Sequence, residues 1–203
     1  MAVILLGTGS FDGLNETFWW LGQLGINPFE FPGRSAIVWP SVGGVVMANL
    51  VLLAVLAATL WLGLRLAGSG IGVRTGLRLF APAVLPIALG YHIAHYLPSF
   101  LVESQYALVA LSDPLLNGSD LLGLGEFYVS TGFFNSQASV RVIFLAQVTA
   151  VVVGHMPAVV LSHIIALSIL PAKRRAMQSQ LPLACFMIGY TFFGLWLLAS
   201  PRF

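Results

Sequence analysis

Residues 42–64 read VGGVVMANLVLLAVLAATLWLGL, an apolar stretch that contains no charged side chain. A transmembrane helix needs about 20 mostly apolar residues to cross about 30 Å of hydrocarbon. Three stretches of similar character follow, at residues 79–101, 142–170 and 181–199. The pattern predicts an all-α fold, a polytopic transmembrane bundle whose four spans lie within residues 42–203.

The composition of the whole chain supports a membrane protein. Of 203 residues, 58% are hydrophobic and 8% are charged, whereas about 25% are charged in soluble proteins. The mean hydropathy is +0.92. The nine basic and seven acidic residues are too few and too scattered for a nucleic-acid surface. We therefore expect the lipid bilayer as a partner and exclude nucleic acid, and the single Cys185 leaves no internal disulfide or thiolate cluster.

Basic residues cluster in two of the loops between the predicted spans. Arg65, Arg74 and Arg78 surround the first loop, and Lys173, Arg174 and Arg175 lie in the last one. Loops rich in Lys and Arg remain in the cytoplasm. Both termini and the loop 102–141 are then predicted to lie outside, together with all seven acids, which are Asp12, Glu16, Glu30, Glu103, Asp113, Asp120 and Glu126.

Two segments outside the four spans have a predicted role. Residues 1–41 combine a run too short to span, MAVILLG, with an aromatic cluster that is typical of the membrane interface. We expect an interfacial segment here, and a chain that is split, processed, or completed by other membrane subunits or a separate N-terminal half. The loop 102–141 is long enough that we expect an ordered lid. The aromatic cluster consists of Phe18, Trp19, Trp20, Phe29, Phe31 and Trp39, interrupted by Pro28, Pro32 and Pro40.

All four histidines lie within predicted spans, where ionisable side chains are costly and usually functional. His92 and His95 share one face of the second span, and His155 and His163 lie two turns apart in the third. Measured from the outer helix ends, His95 lies about 9 Å deep, His92 about 14 Å and His155 about 20 Å. These three residues could meet, whereas His163, at about 31 Å, belongs near the inner surface.

Imidazole is a common ligand of haem iron, zinc and copper. We therefore predict that His92, His95 and His155 bind haem b or a copper or zinc ion, with His163 as a further metal ligand. Asp113 and Glu103 are the candidates for an additional carboxylate ligand or a catalytic base. Two alternatives remain open for the histidines, namely interhelical packing through hydrogen bonds and proton transfer.

Four stretches of the chain are similar to one family. They read Phe11-Asp12-Gly13-Leu14, Gly90-Tyr91-His92-Ile93-Ala94-His95-Tyr96-Leu97, Leu111-Ser112-Asp113-Pro114, and Gly154-His155 to Ser162-His163. Over roughly residues 10–170 the chain resembles the C-terminal half of bacterial membrane proteins labelled fenitrothion hydrolase-like. The preceding membrane half of that family is missing here, and after Asp120 the loop reads Leu-Leu-Gly-Leu-Gly in place of an aromatic and glycine pattern.

The resemblance implies a protein of the bacterial inner membrane with an organophosphate-ester hydrolase activity. In that membrane the outer side, where the basic loops place both termini, is the periplasm. The resemblance also implies that the residues that matter are His92, His95, Asp113, His155 and His163. Three functions follow from the residues and the resemblance together. The first is a membrane subunit that holds haem or a metal ion for electron transfer or metal handling. The second is a non-catalytic accessory or assembly subunit of a larger complex. The third is a metal-dependent ester hydrolase, although we do not expect an enzyme in the isolated chain.

Overall fold

A computed structural model provides the structure of the protein and describes residues 2–27, 37–125, 128–170 and 172–200. These residues form α-helices and one short 3-10 turn, and no β-strand occurs among them. The predicted all-α fold class is therefore confirmed. The helices are α1 (Ala2–Asn15), α2 (Phe18–Gln23), α3 (Val38–Leu66), α4 (Val73–Ser112), α5 (Gln137–Ile169) and α6 (Lys173–Ala199), with the 3-10 turn at Gly132–Asn135.

Four of these helices, α3 to α6, are long and apolar enough to cross a membrane. Their outer surfaces carry large apolar side chains, such as Leu89, Val142 and Phe192, which are 64%, 65% and 68% exposed. A surface of this kind is stable against lipid tails, which are as apolar as the side chains themselves. The protein is therefore a membrane-embedded helical bundle with four candidate spans.

Each of the four helices begins before its predicted span, and α4 continues to Ser112. The helices are longer than the predicted spans because hydropathy detects only the part of a helix that crosses the hydrocarbon. The helix itself continues until its backbone turns. After α3 this turn is made by Gly68, whose φ of +61° is favourable for glycine alone. The predicted loop 102–141 is shorter in the structure, because α4 continues through its first quarter and α5 begins at Gln137.

The helix α1 packs inside the bundle, against α3, α4 and α6. Leu6 is 1% exposed and Phe11 is 5% exposed. The part of residues 1–41 that forms α1 is thus in contact with three of the four candidate spans. The close packing of α1 is possible because three of its residues, Gly7, Gly9 and Gly13, have no side chain. The side chains of Asn49, His92 and Tyr91 can therefore approach the α1 backbone closely. A run too short to span can still be buried when neighbouring spans cover it.

The aromatic part of residues 1–41 includes two well-exposed tryptophans. Trp19 is 52% exposed and Trp39 is 82% exposed, and α2 is capped by the Thr17 hydroxyl, which accepts the Trp20 N–H. The cluster members Phe29 and Phe31 and the prolines Pro28 and Pro32 lie outside the described residues.

Two glycines form the crossing point of α4 and α5. A Cβ added to Gly90 would lie 2.5 Å from the Ala150 carbonyl oxygen, and one added to Gly154 would lie 2.6 Å from the Pro86 carbonyl oxygen. Small residues at such positions allow two helix backbones to approach closely. In a membrane the hydrophobic effect does not bring helices together, because lipid tails are as apolar as the side chains, and close packing associates the helices instead. One turn away, the buried Gln147 side chain donates from Nε2 to the Ala94 carbonyl, at 2.7 Å. The α4–α5 pair is thus fixed by close packing and a buried hydrogen bond.

The two ends of the bundle differ in charge. At one end, the last turn of α3 meets the starts of α4 and α6, since Gly63 touches Ser179 and Gly76 lies against Leu64. We name this the basic end because six of the described basic residues surround it. At the opposite end, the acidic end, the Ser41 hydroxyl donates to Asn15. The six basic residues are Arg65, Arg74, Arg78, Lys173, Arg174 and Arg175.

Candidate functional site

The four predicted histidine ligands face two different helices, α1 and α6. His92 and His95 lie on the side of α4 that contacts α1. His155, on α5, contacts Thr191 of α6. His163 lies near the basic end, beside Gln180. The described residues contain no group of three or more His, Cys, Asp or Glu side chains that could hold a metal ion. The structure therefore does not assemble the predicted ligands into one metal site.

His95 is the centre of a polar cluster between α1 and α4. Its Nε2–H donates to Asp12 Oδ2 at 3.1 Å, and the Tyr96 hydroxyl donates to the same oxygen at 2.7 Å. The His95 side chain is 3% exposed, whereas that of Asp12 is 42% exposed. We name Asp12, His95 and Tyr96 the Asp12 cluster. It joins a buried imidazole to a carboxylate that is open to the exterior of the bundle.

The second ring nitrogen of His95 is buried and has no hydrogen-bond partner within the described structure. A Cβ added to Gly13 would lie 3.5 Å from this Nδ1 and 2.6 Å from the Tyr91 hydroxyl oxygen. The Tyr91 ring stacks parallel to the imidazole, with ring centroids 6.0 Å apart. Only glycine at position 13 leaves room for both aromatic side chains. An unsatisfied buried nitrogen is costly, and it gives this imidazole a second site at which a proton can bind.

His92 lies one turn below His95 on α4, against Gly9 of α1. Its Nδ1–H donates to the Ala88 carbonyl at 2.8 Å, which leaves Nε2 as the acceptor nitrogen of a neutral ring. A Cβ on Gly9 would approach the ring to 3.0 Å. His92 therefore lines the α1–α4 interface without joining the Asp12 cluster through any recorded hydrogen bond.

His155 is held by bonds within α5 and to α6. Its Nδ1–H donates to the Val151 carbonyl at 2.8 Å, and its Nε2 lies 3.0 Å from the Thr191 hydroxyl oxygen. The single proton of that hydroxyl is donated either to Nε2 or to the Met187 carbonyl, which is 2.8 Å away. Both ring nitrogens are thus engaged in packing contacts, which matches the alternative of histidines as interhelical hydrogen-bonding groups.

The two predicted carboxylate candidates do not approach the histidines in any recorded contact. Glu103 is exposed on α4. Asp113 accepts the backbone N–H groups of Asn117 and Gly118, at 3.0 and 2.8 Å. These bonds, together with one from Ser119, outweigh the effect of desolvation and lower the pKa of the Asp113 carboxyl. Asp113 therefore stabilises its own loop, and nothing in its surroundings indicates a catalytic base.

Asp120 repeats this arrangement seven residues later and allows a pH test. The Gly125 N–H, the Ser112 hydroxyl and the Leu124 N–H hold the pKa of its carboxyl below the ordinary value. A lowered folded-state pKa gives a stabilisation that is complete above the unfolded pKa and is lost as pH falls through the folded pKa. We expect hydrogen exchange of the Leu124 and Gly125 amides to lose its protection below about pH 4.

The Asp120→Asn variant provides the control for this loop. It should show weak protection of both amides at every pH, because the neutral side chain is a poorer acceptor than a carboxylate. Equal protection in the variant and in the unaltered protein at neutral pH would show that the carboxylate does not order the loop.

Sequence reasoning missed the role of Asp12, which it placed outside the membrane with the other acids. The available signal was the spacing of Gly9 and Gly13 on one helical face, on either side of Asp12. Small residues four apart in a short apolar helix indicate close contact with another helix. An acid between them would then lie within the bundle and need a polar partner.

Comparisons with known proteins add no relative to this picture. No family model, no curated protein and no solved structure matches the chain. Only the site itself therefore bears on the function.

Proposed function

We propose that this is an integral membrane protein that exchanges a proton at the Asp12 cluster and couples the proton to the position of α1. The observation that carries the proposal is the His95–Asp12 contact of 3.1 Å, made by an imidazole that is almost wholly buried. Ionisable residues at membrane depth are proton-relay candidates by default. Histidine is also the side chain whose charge changes most readily near neutral pH.

The geometry of the cluster suggests how a proton enters. Asp12 is 42% exposed and His95 is 3% exposed, so a proton from the acidic end meets the carboxylate first. His95 Nε2 already carries the proton that it donates to Asp12, so a further proton on the ring must be held by the buried Nδ1. With both nitrogens protonated, the imidazolium pairs with the carboxylate as an ion pair. A neutral ring binds the carboxylate more weakly, and since Asp12 lies on α1, proton loss loosens α1 against α4.

We place the protein in the bacterial inner membrane, with the basic end in the cytoplasm. This orientation follows from the six basic residues at one end of the bundle and the rule that such loops remain inside. The bacterial inner membrane follows from the family resemblance. In this orientation the Asp12 cluster opens toward the periplasm, where external pH acts on it directly.

The other functions remain predictions with less support from the geometry. A haem or metal subunit needs converging ligands, and His92, His95, His155 and His163 face different neighbours. A metal-dependent hydrolase needs such a site and a base, and Asp113 is engaged in its own loop. An accessory subunit of a larger complex remains compatible with the exposed apolar surfaces, which a partner could cover. Metal analysis and a visible spectrum of the purified protein distinguish the first two from the proton site.

The proposal predicts that Asp12 determines where the His95 ring carries its protons. We expect ¹⁵N NMR of histidine-labelled protein to show a protonated His95 Nε2 in the unaltered protein, as its bond to Asp12 requires. In Asp12→Asn the ¹⁵N shifts of His95 should change, because the carboxylate that accepts from Nε2 is replaced by an amide. The matched control is Glu103→Gln, which removes an equal charge from an exposed position on α4 and should leave the His95 shifts unchanged.

Two results would contradict the proposal. One is a set of His95 ¹⁵N shifts that is the same in Asp12→Asn and in the unaltered protein. The other is an equal response of His95 to Asp12→Asn and Glu103→Gln, which would mean that only the overall charge matters. Resonance assignment by His95→Gln identifies the signal, and assignment of His92, His155 and His163 in the same way shows whether the response is confined to His95.

A further inference from the structure

We propose that a cleft at the basic end binds the phosphate headgroup of an anionic phospholipid. The cleft has a volume of about 430 Å³ and lies between α5 and α6. Its polar lining consists of Arg174, His163, Gln178 and Gln180, and its apolar lining includes Met177 and Leu181. It is separate from the Asp12 cluster, and the inference does not depend on the proposed proton exchange.

The charge distribution of the bundle explains why an anion must come from outside the chain. All the carboxylates that the structure describes, on Asp12, Glu16, Glu103, Asp113 and Asp120, belong to the acidic end. Within the described residues, Arg174 therefore has no carboxylate at its own end of the bundle. A phosphate group matches a guanidinium in charge and in bidentate geometry.

The polar side chains of the cleft are arranged as donors. Gln180 Nε2 lies 3.0 Å from His163 Nδ1 and donates to the Ala176 carbonyl at 2.9 Å. When Gln180 donates to Nδ1, the proton of a neutral His163 is on Nε2. The exposed imidazole then offers an N–H donor in the cleft that Arg174 also lines. A guanidinium and an N–H donor on adjacent helices form a site for phosphate oxygens.

The apolar lining favours a lipid over a free ion. Met177 is 63% exposed and Leu181 is 60% exposed, and both lie on α6 beyond Arg174 in the direction of the membrane interior. Acyl chains attached to a phosphate at Arg174 would cover these side chains, whereas inorganic phosphate would leave them bare. A phosphate headgroup at Arg174 and acyl chains along Met177 and Leu181 would fill both the polar and the apolar part of the cleft.

Native mass spectrometry of the full chain in detergent tests this site, with phosphatidylglycerol and phosphatidylcholine as probes. We expect phosphatidylglycerol to bind more tightly than phosphatidylcholine. Arg174→Gln should weaken phosphatidylglycerol binding about tenfold, a factor that corresponds to about 1.4 kcal/mol. The matched control is Arg175→Gln, which removes the same charge from the next residue, outside the cleft lining, and should change binding less than about twofold. His163→Gln, which leaves the formal charge unchanged, should weaken binding as well.

Three outcomes would overturn the inference. Equal losses in Arg174→Gln and Arg175→Gln would indicate diffuse attraction to the basic end. Equal binding of the two lipids would exclude recognition of the anionic headgroup. Displacement of phosphatidylglycerol by millimolar inorganic phosphate would assign the site to a free anion. Circular dichroism of each variant verifies that it is folded, and Arg174→Lys, which keeps the charge, should retain part of the binding.

Discussion

Replacing Gly154 by alanine is expected to destabilise the bundle by about 1 to 3 kcal/mol, the usual cost of overpacking a tight site. The added Cβ would lie 2.6 Å from the Pro86 carbonyl oxygen and 3.2 Å from the Gly90 Cα. Both are backbone atoms, so no side chain can move aside and the two helices must separate. This separation also strains the buried bond from Gln147 to Ala94. The measurement is the free energy of reversible unfolding in mixed detergent.

The matched control for this substitution is Gly189→Ala on α6, where an added Cβ meets no atom within 4 Å. Alanine has a better helix propensity than glycine, so this variant should be as stable as the unaltered protein or more so. The double variant Gly90→Ala/Gly154→Ala should lose less than the sum of the two single losses, because one separation of the backbones accommodates both methyl groups. Equal stabilities of Gly154→Ala and Gly189→Ala would show that α4 and α5 do not cross closely here.

Replacing Asp12 by alanine is expected to cost about 2 kcal/mol of stability, because hydrogen bonds to a charged group contribute about 1.5 to 3 kcal/mol. The substitution leaves the His95 Nε2–H and the Tyr96 hydroxyl without their common acceptor. Since the His95 Nδ1 also has no partner, the imidazole would then have no hydrogen bond that is recorded in the structure. The carboxylate is 42% exposed, so water replaces part of the lost contact and keeps the effect below that of a fully buried pair.

A double-mutant cycle separates this contact from a general effect of charge. Asp12→Asn and Tyr96→Phe should show a coupling free energy of about 0.5 kcal/mol or more, as residues within one hydrogen-bond network do. Glu103→Ala, which removes an exposed carboxylate, should change stability by less than about 0.5 kcal/mol. Additive effects of the Asp12 and Tyr96 substitutions would contradict the hydrogen bond between them.

The four spans could be predicted because hydropathy over a helix length is a one-dimensional property of the chain. The apolar stretch 42–64 is stable only in lipid or in the interior of a protein. The position of α1 could not be predicted in this way, because its burial depends on which other helices cover it. Gly9 and Gly13 indicate that some helix comes close, but only the folded bundle shows that this helix is α4.

The candidate site was predictable in part for a similar reason. Spacing places His92 and His95 on one face of α4, and the structure places both of them against α1. The spacing of residues along one helix does not determine which other helix its face contacts. The order of the helices around the bundle cannot be predicted from the lengths of the loops. His155 accordingly contacts Thr191 on α6, and Asp12 takes the place beside His95 that sequence reasoning gave to another histidine.

The carboxylate within α1 has a consequence for the assembly of the protein. Asp12 lies in Ala2–Asn15, and a charged side chain in hydrocarbon is costly until it meets a polar partner. The apolar helices can insert one by one before they associate, whereas α1 reaches a stable position only once His95 of α4 is in place to bind Asp12. The helix that the ribosome makes before the four spans is therefore expected to dock after them.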